Sequence, residues 1–185
     1  MERVKNFFAN DFVKTLLTYI LIVIVVVLIR VFLIDPFRVD GSSMDKTLSN
    51  GEVMILNKII YRKSDIKRFD IVVVEISEKN SKGQDVKKKI IKRVMGLPNE
   101  TIEYRDNVLY INGEKMDDPY PSTETDDFSI EDVGKTKIPG DSYFVMGDNR
   151  ANSLDSRYIG TVTKKQILGR AKLVIWPIKK FGIVE

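Results

Sequence analysis

The chain opens on an apolar run that has no counterpart further along. Leu16 to Ile34 reads LLTYILIVIVVVLIRVFLI, interrupted only by Thr18, Tyr19 and Arg30. About 20 helical residues cross the hydrocarbon core of a bilayer, so the run has the length of one membrane crossing. Arg30 falls about one turn from its end, where a long side chain can reach the headgroups. A core helix of a soluble protein would show a polar face, and none appears. A removable signal peptide would have only ~7–15 apolar residues and a small-x-small cleavage pattern after them. The residues after Ile34 are instead Asp35-Pro36-Phe37-Arg38. The pattern predicts a retained anchor over 15–35, with Pro36 ending the helix.

Beyond the anchor the pattern changes to short β-branched and apolar stretches. Val53–Asn57, Ile71–Ile76, Lys89–Met95, Ser142–Met146 and Gln166–Trp176 read as strands. Ser77–Lys89 is polar and lysine-rich between apolar runs, as in an exposed hairpin tip. Gly96-Leu97-Pro98-Asn99 turns the chain, and Thr101–Met116 reads as a strand pair containing an Asn112-Gly113 turn signal. Asp117–Asp132 is acidic without a Lys or Arg and reads as a solvated loop. The fold class predicted is mainly β behind one apolar helix.

Composition narrows the chemistry. The 185 residues suffice for one sizeable domain, or a compact core with an inserted lobe. There is no cysteine and no histidine, which excludes disulfides, Cys/His zinc sites and the usual catalytic base. A hydrolase built from this chain must use lysine, a carboxylate or a carboxylate-bound metal. The net charge is +4, concentrated at Lys79, Lys82, Lys87, Lys88, Lys89 and Lys92. No unbroken basic face with interleaved aromatics marks a nucleic-acid binder, and anionic lipid suits the basic segment better.

Three polar segments interrupt the strands. In Gly41-Ser42-Ser43-Met44, a serine on a glycine-containing turn can offer its hydroxyl and a backbone N–H to one carbonyl, although such a turn is commonly only a turn. In Lys89-Ile90-Ile91-Lys92-Arg93-Val94-Met95, alternation puts Ile90, Lys92 and Val94 on one face. Burial there would lower an ammonium's pKa and yield a neutral amine able to take a proton from serine; the bland alternative is an edge lysine pointing to water. Gly147 to Arg157, GDNRANSLDSR, reads as a loop braced by carboxylate–arginine pairs. Asp148, Asn149 and Asp155 could hold a metal, but the arginines compete for the same carboxylates, so no metal and no cofactor is expected.

Together these segments resemble the bacterial type I signal peptidases, in the short, single-anchor form of Gram-positive bacteria. The matching pieces are Val39-Asp40-Gly41-Ser42-Ser43-Met44 with Thr47-Leu48, Phe69-Asp70-Ile71-Val72-Val73, Ile91-Lys92-Arg93-Val94 with Gly96-Leu97-Pro98, and Gly147 to Arg157. Their order and approximate spacing match, and the resemblance covers nearly the whole chain, least firmly Met116 to Pro139. It implies Ser43 as nucleophile, Lys92 as general base, and Ser153 holding the lysine amine by a hydrogen bond. Asp155 with Arg157, and Asp148 with Arg150, would pair to brace the site. The Ser43 backbone N–H would meet the oxyanion. Some relatives add a serine hydroxyl two residues before the nucleophile, where this chain has Gly41; the second donor here would be backbone or water.

The resemblance further implies a two-lobed antiparallel β catalytic domain over 36–185, with about 99–140 as a smaller inserted lobe. Residues 1–14 would be cytoplasmic and the domain would sit outside the plasma membrane, an orientation that Arg3, Lys5 and Lys14 favour weakly. Its partners would be signal peptides of secreted preproteins with small residues at the first and third positions before the cut, the lipid bilayer, and the protein-export machinery. One departure is Lys46 where the family usually has proline, creating a literal S-x-x-K over Ser43–Lys46. That motif belongs to β-lactamases and penicillin-binding proteins, whose S-D-N and K-T-G companions are missing here. Two other readings stay open: a self-cleaving SOS-repressor-type Ser/Lys protease, for which a DNA-binding segment is lacking, and a membrane-tethered accessory protein descended from a peptidase.

Overall fold

A computed structural model of the chain describes residues 11–32 and 34–184. Helix α1 (Asp11–Phe32) carries the apolar run. Its segment Asp11–Leu28 has a mean hydropathy of 2.4 and none of it is buried, so length and composition suit a membrane crossing. The charges at Arg3 and Lys5 and the side chain of Arg30 lie outside the described residues. The helix stops earlier than Pro36: strand β1 (Ile34–Arg38) has begun two residues before the proline. A residue preceding proline avoids the helical region, and proline is tolerated on an edge strand, so Asp35-Pro36 is extended.

The rest of the chain builds two antiparallel sheets. The larger has the order β1, β2 (Val53–Asn57), β11 (Ile167–Trp176), β3 (Ile71–Lys79), β4 (Asp85–Gly96), β9 (Ser142–Met146) and β10 (Val162–Thr163), with β12 (Gly182–Ile183) beside β11. The smaller has the order β7 (Glu114–Met116), β6 (Val108–Ile111), β5 (Ile102–Arg105) and β8 (Phe128–Ser129). Thr101–Met116 is thus three strands rather than a pair, because a second tight turn precedes the Asn-Gly turn. At that turn Asp106 and Asn107 both adopt positive φ, which their short polar side chains tolerate. The expected hairpin tip shrinks to Asn80–Gln84, since β3 and β4 stay paired from Ile71↔Arg93 to Lys79↔Asp85.

Apolar side chains gather in three clusters. Met44, Leu48, Leu56, Val73 and Ile91 form one, and Val72, Val74, Val94 and Val145 another. The third couples the two sheets, packing Tyr104, Leu109 and Phe128 of the small sheet against Phe144 and Met146 of the large one. At about 25 cal/mol per Å² of apolar surface, such burial is the main force holding the lobes together.

Candidate active site

The loop between β1 and β2 carries Ser43. Its neck is closed by the bonds Val39 N–H to Glu52 O (2.8 Å) and Gly51 N–H to Val39 O (2.9 Å). Met44 and Leu48 enter the core as two plugs with no exposed surface. Ser43, beside the first plug, is thereby held at the surface of the domain. Gly41 adopts φ +91°, a turn that an L side chain would strain, which accounts for glycine at this position. The Gly41 N–H donates to Asn50 Oδ1 at 3.1 Å.

Lys92 comes from β4. The pairing sets it opposite Val72, and Ile90 and Val94 on its strand face join the same apolar cluster as Val72. Its side chain is almost wholly buried, and Nζ lies 2.5 Å from Ser43 Oγ. Burial is the largest influence on its acidity and lowers the pKa from 10.5 to about 8. The carboxylates of Asp155 and Asp148 oppose that shift, while Lys88 and Arg157 add to it. Lys46, the alternative lysine, is exposed on the loop and makes no bond to Ser43.

The 147–157 loop wraps behind this pair with its charges distributed differently from the expectation. Asp155 does pair with Arg157, at 2.9 Å. Asp148 and Arg150 do not pair with each other. Asp148 takes a two-pronged bond from Arg93, Nε to Oδ1 at 2.9 Å and Nη2 to Oδ2 at 2.8 Å, with both side chains fully buried. Arg150 instead meets Asp118 at 2.7 Å. Arg93 satisfies both oxygens of Asp148 with its planar fork, and Arg150 takes one oxygen of Asp118; each buried arginine meets the carboxylate that the fold brings to it, wherever that lies in sequence. Thr47 Oγ1 donates to Asp148 Oδ2 at 2.6 Å, joining the Ser43 loop to the same carboxylate.

Ser153 is buried nearby, but its Oγ has no hydrogen-bond partner among the described residues, so the expected bond to the Lys92 amine is not made. Gly147 sets the spacing here: a Cβ on it would run into Ser153 Oγ and the Ser43 carbonyl. The loop and the Ser43 turn are also stitched directly, by Asn149 N–H to Ser43 O (3.0 Å) and Asn152 Nδ2 to Ser42 Oγ (2.8 Å).

The roles of Arg93, Asp118 and Thr47 escaped the sequence reading. Arg93 carried a faint signal, being a second cation inside an apolar strand. Asp118 lay in the stretch read as a solvated loop, and that reading is corrected by its bonds and by Thr125, which is buried. Beside the Ser43–Lys92 pair opens a groove of about 360 Å³ whose walls include Phe37, Ile90, Ile91 and Leu154. Among the described residues no strand pairs with the outer edge of β4 before Arg93.

Residues 12–176 match the family model described as signal peptidase, peptidase S26. A signal peptidase I of Bacillus caldolyticus is 40% identical over 161 residues, covering 82% of this chain and 84% of the relative. Signal peptidase I S of Bacillus subtilis (strain 168) is 40% identical over 169 residues, covering 87% of each chain. A crystal structure of a signal peptidase I from Enterococcus faecalis V583 aligns at 35% identity and a TM-score of 0.48, over 58% of this chain and 97% of that one. A match of this extent leaves one assignment: the chain belongs to the signal peptidase family, peptidase S26.

Proposed function

We propose that this chain is a membrane-anchored endopeptidase that removes N-terminal signal peptides from exported preproteins, with Ser43 as nucleophile and Lys92 as general base. The observation that carries the reading is the 2.5 Å contact between Lys92 Nζ and Ser43 Oγ, made by a lysine whose pKa is lowered to about 8. With that pKa about a tenth of the amine is neutral at pH 7 and about half at pH 8, where it can act as a base.

The chemistry follows from those two groups. Neutral Lys92 takes the Ser43 hydroxyl proton as Oγ attacks the scissile carbonyl. The Ser43 N–H donates to the developing oxyanion, and the Lys92 ammonium returns its proton to the leaving amine. Lys92 then takes a proton from a water that attacks the acyl carbonyl, and gives it to Ser43 Oγ as the ester bond breaks and the acid product leaves. In this reading Ser153 steadies the amine during the reaction, and the pairs of Asp148 with Arg93 and Asp155 with Arg157 keep the loop behind it in place.

An extended substrate laid along the open edge of β4 would gain main-chain hydrogen bonds and send alternate side chains into the groove. That geometry supports recognition of small residues at the first and third positions before the cut. A short stretch of chain separates Phe32 from Ser43, which supports placing the site at the membrane surface, where a translocated signal peptide emerges. In this reading residues 1–14 are cytoplasmic, 15–35 span the plasma membrane, and 36–185 face outward, with 99–140 as the inserted lobe. The bilayer and the export machinery are its partners.

Cleavage of a purified preprotein by intact protein, Ser43→Ala and Lys92→Ala tests the chemistry. Full activity in either variant would overturn it. Protease added to wall-stripped cells tests the topology: the catalytic domain should be digested without opening the membrane.

A further inference from the structure

The segment after β7 reads Asp118-Pro119-Tyr120-Pro121-Ser122. Proline at alternate positions withholds N–H donors and keeps the backbone extended, so the stretch forms no ladder and Asp118, Tyr120 and Ser122 share one face. That face lies against both loops of the candidate active site. Asp118 Oδ2 accepts from Arg150 Nη2 (2.7 Å) and from the Tyr104 hydroxyl (2.6 Å). Arg150 in turn donates from Nε to Gly147 O (3.0 Å) and from Nη1 to Thr125 Oγ1 (3.0 Å).

Two residues on, the Tyr120 ring lies over the Arg93 guanidinium at 3.5 Å. This covers the very arginine that holds Asp148. Phe69 packs its ring on Tyr120 and adopts φ +69°, a conformation a bulky residue rarely takes, with its carbonyl accepting from Arg93 Nη1 at 3.0 Å. Two residues further, Ser122 Oγ donates to Asp45 O (2.5 Å) and Ser122 N–H to Asp148 O (2.8 Å). One side chain and its own backbone thus join the nucleophile's loop to the Asp148 loop. Thr123 Oγ1 accepts from Ala151 N–H at 2.9 Å.

We propose that Asp118–Thr125 is a positioning strap, through which the small lobe sets the Ser43–Lys92 distance, with Tyr120 and Ser122 as its positioning residues. The inference rests on the reading of Ser43 and Lys92 as the reacting pair. Neither strap residue touches a reacting atom. Both act through Arg93, Asp148 and the Asp45 carbonyl, so loosening them changes the rate of proton transfer rather than substrate affinity. A misplacement of about 1 Å between reacting groups can cost about a hundredfold in rate. Tyr120 acts through its ring, so phenylalanine serves in its place.

The test uses the full chain in detergent with lipid. Single-turnover cleavage of one preprotein is followed from about pH 6 to about pH 10. Tyr120→Leu is expected to lower the alkaline plateau about tenfold or more, with KM within about twofold and the ascending limb still centred near pH 8. Tyr120→Phe is expected to restore the plateau. Ser122→Ala, which keeps the backbone bond and removes no ring, is expected to lower the plateau several-fold; it carries the test if Tyr120→Leu does not fold. Wild-type plateaus in the folded variants, a loss confined to KM, a deficit that vanishes at high pH, or an equal loss in Tyr120→Phe would overturn the strap. Ser43→Ala and Lys92→Ala run alongside: cleavage by these would defeat the underlying reading instead.

Discussion

Lys92 Nζ and Ser43 Oγ stand 2.5 Å apart although 49 residues separate them in sequence. The lysine is buried in β4 and the serine is held at the surface by two plugs, so neither depends on their mutual attraction for its place. That arrangement makes the pair's behaviour with pH and substitution predictable.

Cleavage rate is expected to rise with pH and level off above about pH 8, because only the unprotonated Lys92 can accept the serine proton. Lys92→Ala and Lys92→Arg should each lose about a thousandfold or more, the latter because guanidinium stays protonated. Lys46→Ala should stay within a few-fold. A pH series of single-turnover rates on the folded variants checks this, and loss in Lys46→Ala with retention in Lys92→Ala would reverse the assignment.

The same lysine should make the fold more stable as pH rises. Its folded pKa, about 8, lies below the 10.5 of the unfolded chain, so between these values the unfolded state binds more protons. Stability then increases with pH across that window, by up to roughly 3 kcal/mol, and the penalty is fully present below it. Against Lys92→Met, which carries no such penalty, wild type should be less stable at pH 7 and draw closer toward pH 10.5. Urea denaturation of both proteins across pH measures the gap; a constant difference would contradict the burial argument.

Asp148→Ala should destabilise by about 3–5 kcal/mol, since it leaves the fully buried Arg93 without its carboxylate. Glu75→Ala, which removes the partner of a largely exposed Lys87, should change stability by less than about 1 kcal/mol. Denaturant midpoints of the two variants provide the comparison.

Gly147→Ala should cut activity about a hundredfold or more while substrate still binds. The added methyl would press the Ser43 carbonyl away from the Ser153 side chain, moving the proposed nucleophile off its line to Lys92. Cleavage kinetics and a binding measurement with an uncleavable signal peptide separate the two effects.

How much of this was legible in the residues differs from element to element. The apolar run of α1 announces itself by composition, since no polar face interrupts it. The strands of the large sheet announce themselves by β-branched runs, and Lys92 by being a charge among them. The tight turn at Asp106-Asn107 was missed because Asp-Asn is a weaker signal than the Asn112-Gly113 just beyond it. The end of α1 was misjudged because proline excludes helix from the residue before it as well.

The pairing of charges was a different matter. Within GDNRANSLDSR the neighbouring Asp148 and Arg150 invite each other, yet the fold gives Asp148 to Arg93 of β4 and Arg150 to Asp118 beyond the small sheet. Sequence specifies which side chains must leave water, because periodicity and residue type act locally. It does not specify which buried charge meets which, because a buried ion takes the partner that the backbone brings within about 3 Å, and that depends on how two sheets dock. The alternating prolines of Asp118–Ser122 were visible throughout, but their meaning was not: an extended segment has one face and another, and only the packing of the lobes turned one of them onto Arg93 and the Ser43 loop.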